Sequence, residues 1–446
     1  MLQDQASLLL PRAGVESQAK YEARTVVLGA GPAGISAAIA IGSEAIVLEA
    51  AKRIGGLSGT VELDGAVFDV GGHSFHTPHP KVRELIFDSL DMYEQTRQAY
   101  CYSYRSTIPY PFQKHFHELP DKGVVAECEE GRLAADGGAA AANFQEYLSR
   151  RFGPGICRHF LFPYNRKLWG PDLRRLSADW VAERIAGPAD STEKFESNGG
   201  QRKPLQDGTV VAYPARGGFG EIVQALARKV ERIRLDTRVV RIDPDRKELT
   251  TQHGETYRWQ QLISTIPLNE LMVMLEGVPA SLREDARCLE YLSLQLVFAV
   301  IDHPVDTEIQ RMYSGEPHIP AHKIAINHAS SPYLRSLPRS GISGEISCHP
   351  DKSLPRQDIE RWFVESLLEM RLIREPGEVV RTATMFVKYG YPVPTHDRKV
   401  KVQALKRWLG ERDIFSIGRF GEWSYMNSDE AIQTGLSLGS VLAARS

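Results

Sequence analysis

The chain contains no Cys-x-x-Cys pair, no internal repeat of fixed period and no excess of charge of either sign, and each absence removes a class of protein. Its five cysteines, Cys101, Cys128, Cys157, Cys288 and Cys348, are odd in number and widely spaced. That argues against a disulfide framework, a zinc site or a dithiol redox pair, and no metal is expected. With 54 basic and 56 acidic side chains, no global field recruits nucleic acid or an anionic membrane, so an anionic ligand needs a local cluster. The first twenty residues hold only the short apolar run Leu8, Leu9 and Leu10 before Pro11, with Asp4 upstream and no basic segment. Neither a signal peptide nor a membrane anchor is expected there, and the protein reads as cytoplasmic with a flexible tail over 1–23. At 446 residues and 49.8 kDa the chain is long enough for two or three domains with full cores.

What is present is a glycine pattern in a telling position. The β-branched run Thr25, Val26 and Val27 leads into Gly29, Gly31 and Gly34, spaced G-x-G-x-x-G, and the next apolar run closes on Glu49. In that setting Gly29 makes the strand-to-helix turn and Gly31 lets backbone N–H groups approach a pyrophosphate. Gly34 packs helix on strand, and Glu49 accepts hydrogen bonds from ribose hydroxyls. A second glycine turn follows at Arg53, Ile54, Gly55 and Gly56. Simple nicotinamide dehydrogenases do not need it, whereas FAD domains of the glutathione-reductase type resemble it, so FAD is expected rather than NAD. Pro32, Ala33, Ala50, Arg53, Gly56, Leu57 and Ser58 complete the expected contacts of this stretch.

The rest of the chain divides by composition. Residues 60–70 read as a hairpin around Asp64-Gly65, 100–116 as edge strands, and 123–142, poor in bulky apolar residues, as a surface loop or weak helix. Helical spacing runs over 143–185, broken at Gly153-Pro154 and Pro171. A glycine turn and amphipathic helix follow at 213–230, strands at 238–242, 261–265 and 294–301, then a final strand at 414–417, a turn at Gly418 and a helix over about 429–445. The fold expected is α/β: a Rossmann-like FAD domain with an inserted helical subdomain and a substrate-side antiparallel β-sheet. Its discontinuous cofactor domain would comprise 24–99, 206–268 and 381–446. The sheet domain would comprise 100–118 and 269–380, and the helical subdomain, with a mobile substrate loop, 119–205.

Six patches carry a resemblance: residues 71–77 (GGHSFHT), 163–170 (PYNRKLWG), 179–184 (DWVAER), 213–218 (YPARGG), 389–392 (YGYP) and 418–429 (GRFGEWSYMNSD). In this order they resemble the UDP-galactopyranose mutases, flavoenzymes of the amine-oxidase and protoporphyrinogen-oxidase superfamily. The resemblance implies an isomerase that interconverts pyranose and furanose rings of a nucleotide sugar through a reduced-flavin N5–sugar adduct, with FAD active as FADH⁻. NADPH, NADH or a flavin reductase would supply electrons, and neither nucleic acid nor membrane would be a partner. The oligomeric state stays open.

By resemblance, Gly72 and His73 would lie against the flavin, Val239 at the adenine, Gly418 and Arg419 at the pyrophosphate, and Asp429 and Gln433 beside the flavin ring. Arg184 would clamp the substrate diphosphate, and Tyr164, Asn165, Trp169, Tyr391, Tyr425 and Asn427 would line its pocket, Tyr391 and Tyr425 donating to phosphate. His73, Arg184, Tyr391 and Tyr425 are the implied catalytic residues. Lys323 stands where the family supplies a second arginine; it keeps the charge without the bidentate fork, which leaves the sugar and the nucleotide base open. The alternative from another class is an FAD-dependent oxidase or desaturase of the same superfamily.

Overall fold

The computed structural model describes residues 20–133, 135, 141–181, 184–185, 208–352 and 354–445. Residues 182–183 and 186–207, within the part expected to carry the substrate loop, and residues 1–19 of the tail expected over 1–23 lie outside the described residues; 20–23 are not a loose tail but the start of the strand Lys20–Leu28, held by pairing with Thr256–Ser264.

Two seven-stranded sheets organise the chain. The first is built around the strand Lys20–Leu28, which pairs in parallel with Thr256–Ser264 on one side and Ala45–Leu48 on the other. Its central residues Val26, Val27, Ile46, Val47, Leu262 and Ile263 are buried, as a parallel strand covered on both faces requires. The short strand Ile414–Ser416 joins in parallel beside Thr256–Ser264, so the end of the chain returns to its beginning. The helix Pro32–Ile41 covers one face, and the helix Ser428–Ala443 packs directly on it. A side chain at Gly435 would collide with Ser36 Oγ and Ala33 O, and one at Gly439 with Ala37 O, so both positions must stay small for the helices to touch.

The second sheet runs in the order Val379–Pro392, Tyr291–Ile301, Ser340–Cys348, Lys323–Ile326, Arg311–Ser314, Ala99–Ser103 and Ser106–Pro109. It is antiparallel except where Arg311–Ser314 meets Ala99–Ser103. Residues 381–392, grouped from sequence with the cofactor pieces, belong to this sheet, because Val379–Pro392 pairs along Tyr291–Ile301. Pairing of the strands expected over 100–116 ends at Pro109; Pro111 has no N–H to continue a ladder, and Phe112–His115 forms a helical turn. Of these two strands Ala99–Ser103 is interior and Ser106–Pro109 forms one edge of the sheet, Val379–Pro392 forming the other.

The helical part packs Lys122–Leu133 on Phe144–Ile156, which continues through 157–161 into Phe162–Trp169. Asn143 caps the second helix by accepting from the Glu146 N–H at 3.0 Å. Gly153 sits at φ 78° inside that helix, where a side chain would strike Gly131 O, so the break read at Gly153-Pro154 is a kink within one helical segment. The stretch poor in apolar residues is helical over Lys122–Leu133 because Val124, Cys128 and Gly131 face the neighbouring helix. No helix among the described residues is long and apolar enough to cross a membrane.

Candidate active site

The glycine turn does what its spacing predicts. Gly29 adopts φ 101°, and its missing side chain leaves room for Thr265 Oγ1, which donates to Leu28 O. Gly34 lies against Gly29 O, so any larger residue would push the helix off the strand. Gly31, the N-cap of Pro32–Ile41, is different: a Cβ there would meet no atom within 4 Å. It would project into a cavity of about 480 Å³ bordered by Gly29, Gly31, Pro32, Ala33, Glu49 and Ala50. The positive end of the helix therefore faces open space, a setting that favours an anion. Both carboxylate oxygens of Glu49 are fixed by backbone donors, Ala30 N–H at 2.7 Å and Ala51 N–H at 2.8 Å, which aims the group into the same cavity.

Gly56, Leu57, Ser58, Val239, Gly418 and Arg419 border this cavity too. Arg53 does not; it donates to Thr60 O at the surface. Asp429 is buried and Gln433 donates to Ser437 Oγ one turn along its helix, and neither borders this cavity or the one that adjoins it. At the start of that helix Asn427 and Glu430 form a capping box, with the Asn427 N–H donating to Glu430 Oε2 at 2.6 Å.

A second cavity, of about 270 Å³, opens beyond the first. The two share Leu57, His73, Val387, Arg419, Asn427 and Ser428 as walls, so His73 and Arg419 stand at the junction. Gly72, Tyr164, Asn165, Trp169, Arg184, Lys323, Tyr391, Tyr425 and Asn427 all line the second cavity. Trp169, Tyr391 and Tyr425 pack edge to face or stacked with ring centroids 5.7 to 5.8 Å apart, a wall that excludes water.

Electrostatics refine the expected roles. Burial, followed by the charge of Lys323, lowers the His73 pKa to about 3, so its ring is neutral. Nδ1 lies 3.2 Å from Gly71 O and must carry the proton, leaving Nε2 as acceptor, while the ring stacks on Phe219. Tyr391 donates its hydroxyl proton to Glu345 Oε2 at 3.0 Å, not to open space. Lys323 pairs with Glu345 Oε1 at 2.7 Å, and Arg184 with Glu430 at 2.7 Å while also donating to Tyr425 O.

Glu345 was not legible as a site residue. Strand register sets it opposite Lys323, and it also accepts from Gly72 N–H at 2.6 Å. Burial favours its neutral form, but the charge of Lys323 and these donors outweigh that and hold its pKa down at about 2. Arg97 and Arg311, which also line the cavity, were missed for the same reason: each is a lone charge in an unremarkable strand context. The pairing that brings them together comes from segments some 200 residues apart.

A parallel strand leaving through a glycine turn into a helix whose N-terminus faces a cavity, with that cavity continuing into a second, cation-lined one, is the arrangement of a dinucleotide-binding fold. Residues 32–339, well over half the chain, match the family described as flavin containing amine oxidoreductase, and the chain belongs to that family. Its cofactor class is a flavin, and the cradle at Gly31, the fixed Glu49 and the continuation past His73 fit FAD. A crystal structure of reduced UDP-galactopyranose mutase superposes with TM-score 0.85 at 24% identity, covering 95% of this chain and 94% of that one. Cyclohexylamine oxidase from Brevibacterium oxydans IH-35A gives 0.69 at 17% identity, covering 95% and 99%. Protoporphyrinogen oxidase 2, chloroplastic/mitochondrial, from Arabidopsis thaliana is 23% identical over 309 residues, 58% of this chain and 61% of that protein. At these identities the likeness is one of fold, which isomerases and oxidases share.

Proposed function

We propose that the protein is an FAD-dependent isomerase that interconverts the pyranose and furanose rings of a nucleotide sugar with its flavin reduced. One observation carries this reading: among the described residues the second cavity is lined by five basic side chains, Arg97, Arg184, Arg311, Lys323 and Arg419, and one carboxylate, Glu345. Such a cavity attracts a diphosphate and repels a protonated amine. The same charges also suit an oxidase of a carboxylate-bearing substrate, which is the competing reading.

The bound, reduced flavin supplies the nucleophile. The chain's residues position and shield. Arg184, its guanidinium 5.2 Å from the Tyr425 ring centre, flanks the place for the substrate diphosphate; Arg419, expected at the cofactor pyrophosphate, borders both cavities and, 5.8 Å from the same ring, faces that place as well. Neutral His73 offers an acceptor nitrogen at the junction without adding a charge, and Trp169, Tyr391 and Tyr425 close the cavity to water. We assign residues 24–98 and 208–268 with the last strand and helix to cofactor binding, and the second sheet with the helical part to the substrate. NADPH or NADH, directly or through a reductase, is the proposed electron source.

Electron balance tests the reading. Reduced holoprotein incubated anaerobically with nucleotide sugars is expected to change ring size, read by NMR, without consuming reductant at each turnover. Turnover only by oxidised flavin, with peroxide formed one for one, would establish the oxidase instead.

A further inference from the structure

Arg97 and Arg311 put two positive charges side by side in the interior. They are 7% and 3% exposed, and the sheet register sets Arg311 opposite Ala99, two residues beyond Arg97. Arg311 donates Nη1 to Gln310 O at 2.6 Å and Nη2 to His73 O. Arg97 donates Nη2 to Tyr313 hydroxyl at 2.8 Å, lies 4.8 Å from the Tyr110 ring centre, and its buried Nε has no acceptor.

Carbonyls and a phenol satisfy direction but do not neutralise charge. Neither arginine has an ion-pair partner among the described residues. Asp69, the acid whose field reaches Arg311, is enclosed by the Tyr213 hydroxyl, the Phe219 N–H and the Thr60 hydroxyl, and does not border the cavity. Two like charges buried without a counter-ion are strongly unfavourable, whereas an oxyanion between them removes the penalty.

We propose that Arg97 and Arg311 form a second anion subsite, which seats a carboxylate on the reacting portion of the substrate, as in a uronic acid. This rests on the nucleotide-sugar reading. The position separates it from the diphosphate: Arg184 and Arg419 gather around Tyr425, whereas Arg97 lies against Tyr110 and Tyr313. Arg311 holds the carbonyl of His73, the residue at the junction with the cofactor cavity, so the subsite adjoins the place of reaction. The planar fork of arginine matches a carboxylate, and the unpaired Arg97 Nε supplies a donor for it.

Calorimetric titration of the reduced holoprotein with UDP-galacturonate, UDP-galactose, UDP and free galacturonate tests this. The galacturonate nucleotide is expected to bind about 10- to 100-fold tighter than the galactose nucleotide, the range of a charge-assisted contact. Arg97→Gln should bring that ratio to about one, weakening UDP and UDP-galactose far less than UDP-galacturonate and leaving flavin content unchanged, and Arg97→Lys should restore part of the ratio. Equal affinities in the wild type, or an Arg97→Gln variant that weakens UDP and both nucleotide sugars alike, would overturn the proposal. The wild-type ratio stands by itself if the variant does not take up flavin. If no UDP compound binds, uridine is not the base, and the nucleotide-sugar reading is decided separately by the same titration with the other nucleoside diphosphates. Free galacturonate then decides the subsite: binding that Arg97→Gln abolishes keeps it, and no binding removes it.

Discussion

The two cavities meet at His73 yet are built by opposite means. The cofactor cavity is set by local backbone, namely a glycine at a helix start, amides that fix Glu49 and a second glycine turn, with residues such as Met274, Tyr389 and Phe420 completing its walls. The substrate cavity is made of side chains drawn from the second sheet, the helical part and the loops between them, held by charge pairs such as Lys323–Glu345 and Arg184–Glu430. A backbone-built site demands particular residues at fixed local spacing. A side-chain-built site can be assembled from any segments the fold brings together.

The sharpest break in that comparison is Gly31→Val. Gly31 has φ −84° and open space before it, so valine suits the protein by itself but fills the pyrophosphate cradle. The variant is expected to purify folded by circular dichroism and without flavin absorbance; full flavin content would mean the cradle is misassigned. Next is Glu345→Ala, which leaves Lys323, the Tyr391 hydroxyl and the Gly72 N–H without their shared acceptor. With Glu345 only 2% exposed, a loss of about 3 to 5 kcal/mol is expected in chemical denaturation, as for a broken buried pair. Arg184→Ala should weaken nucleotide-sugar binding by about 1.5 to 3 kcal/mol and leave flavin content intact, checked by titration alongside the visible spectrum.

The smallest effect is one of pH. Burial lowers the His322 pKa to about 3, as it does for His73, so the folded protein refuses a proton that the unfolded chain accepts. Stability should fall as pH drops from about 6.5 toward 3, because the unfolded state binds more protons throughout that window. His322 Nε2 lies 3.7 Å from Glu345, but the neutral ring makes this a contact and not an ion pair. His322→Gln should flatten part of the slope of melting temperature against pH, and an unchanged slope would place the titration elsewhere.

The same contrast explains what could be read in advance. Gly29, Gly31, Gly34 and Glu49 announce themselves within twenty-one residues because turn, helix start and strand end are local events. The helix expected over about 429–445 and the hairpin around Asp64-Gly65 were legible for that reason too. Lys323 was found only through a family pattern, and its partner Glu345 needed the register of two strands. Arg97 and Arg311 carry no local mark, and Arg53, Asp429 and Gln433 showed that closeness in sequence to the site does not place a side chain on its wall.

The crossing of Gly435 and Gly439 on Ala33, Ser36 and Ala37 also sets a clock. The helix that begins the cofactor cavity leaves the ribosome long before the helix that completes it. At synthesis rates of about 5 to 20 residues per second, the first helix waits roughly 20 to 80 seconds for its partner. During that interval the small face of Pro32–Ile41 that receives Ser428–Ala443 is without its partner helix. Cofactor capture is thus a late event, and flavin uptake by nascent chains of increasing length should rise only after the final helix has emerged.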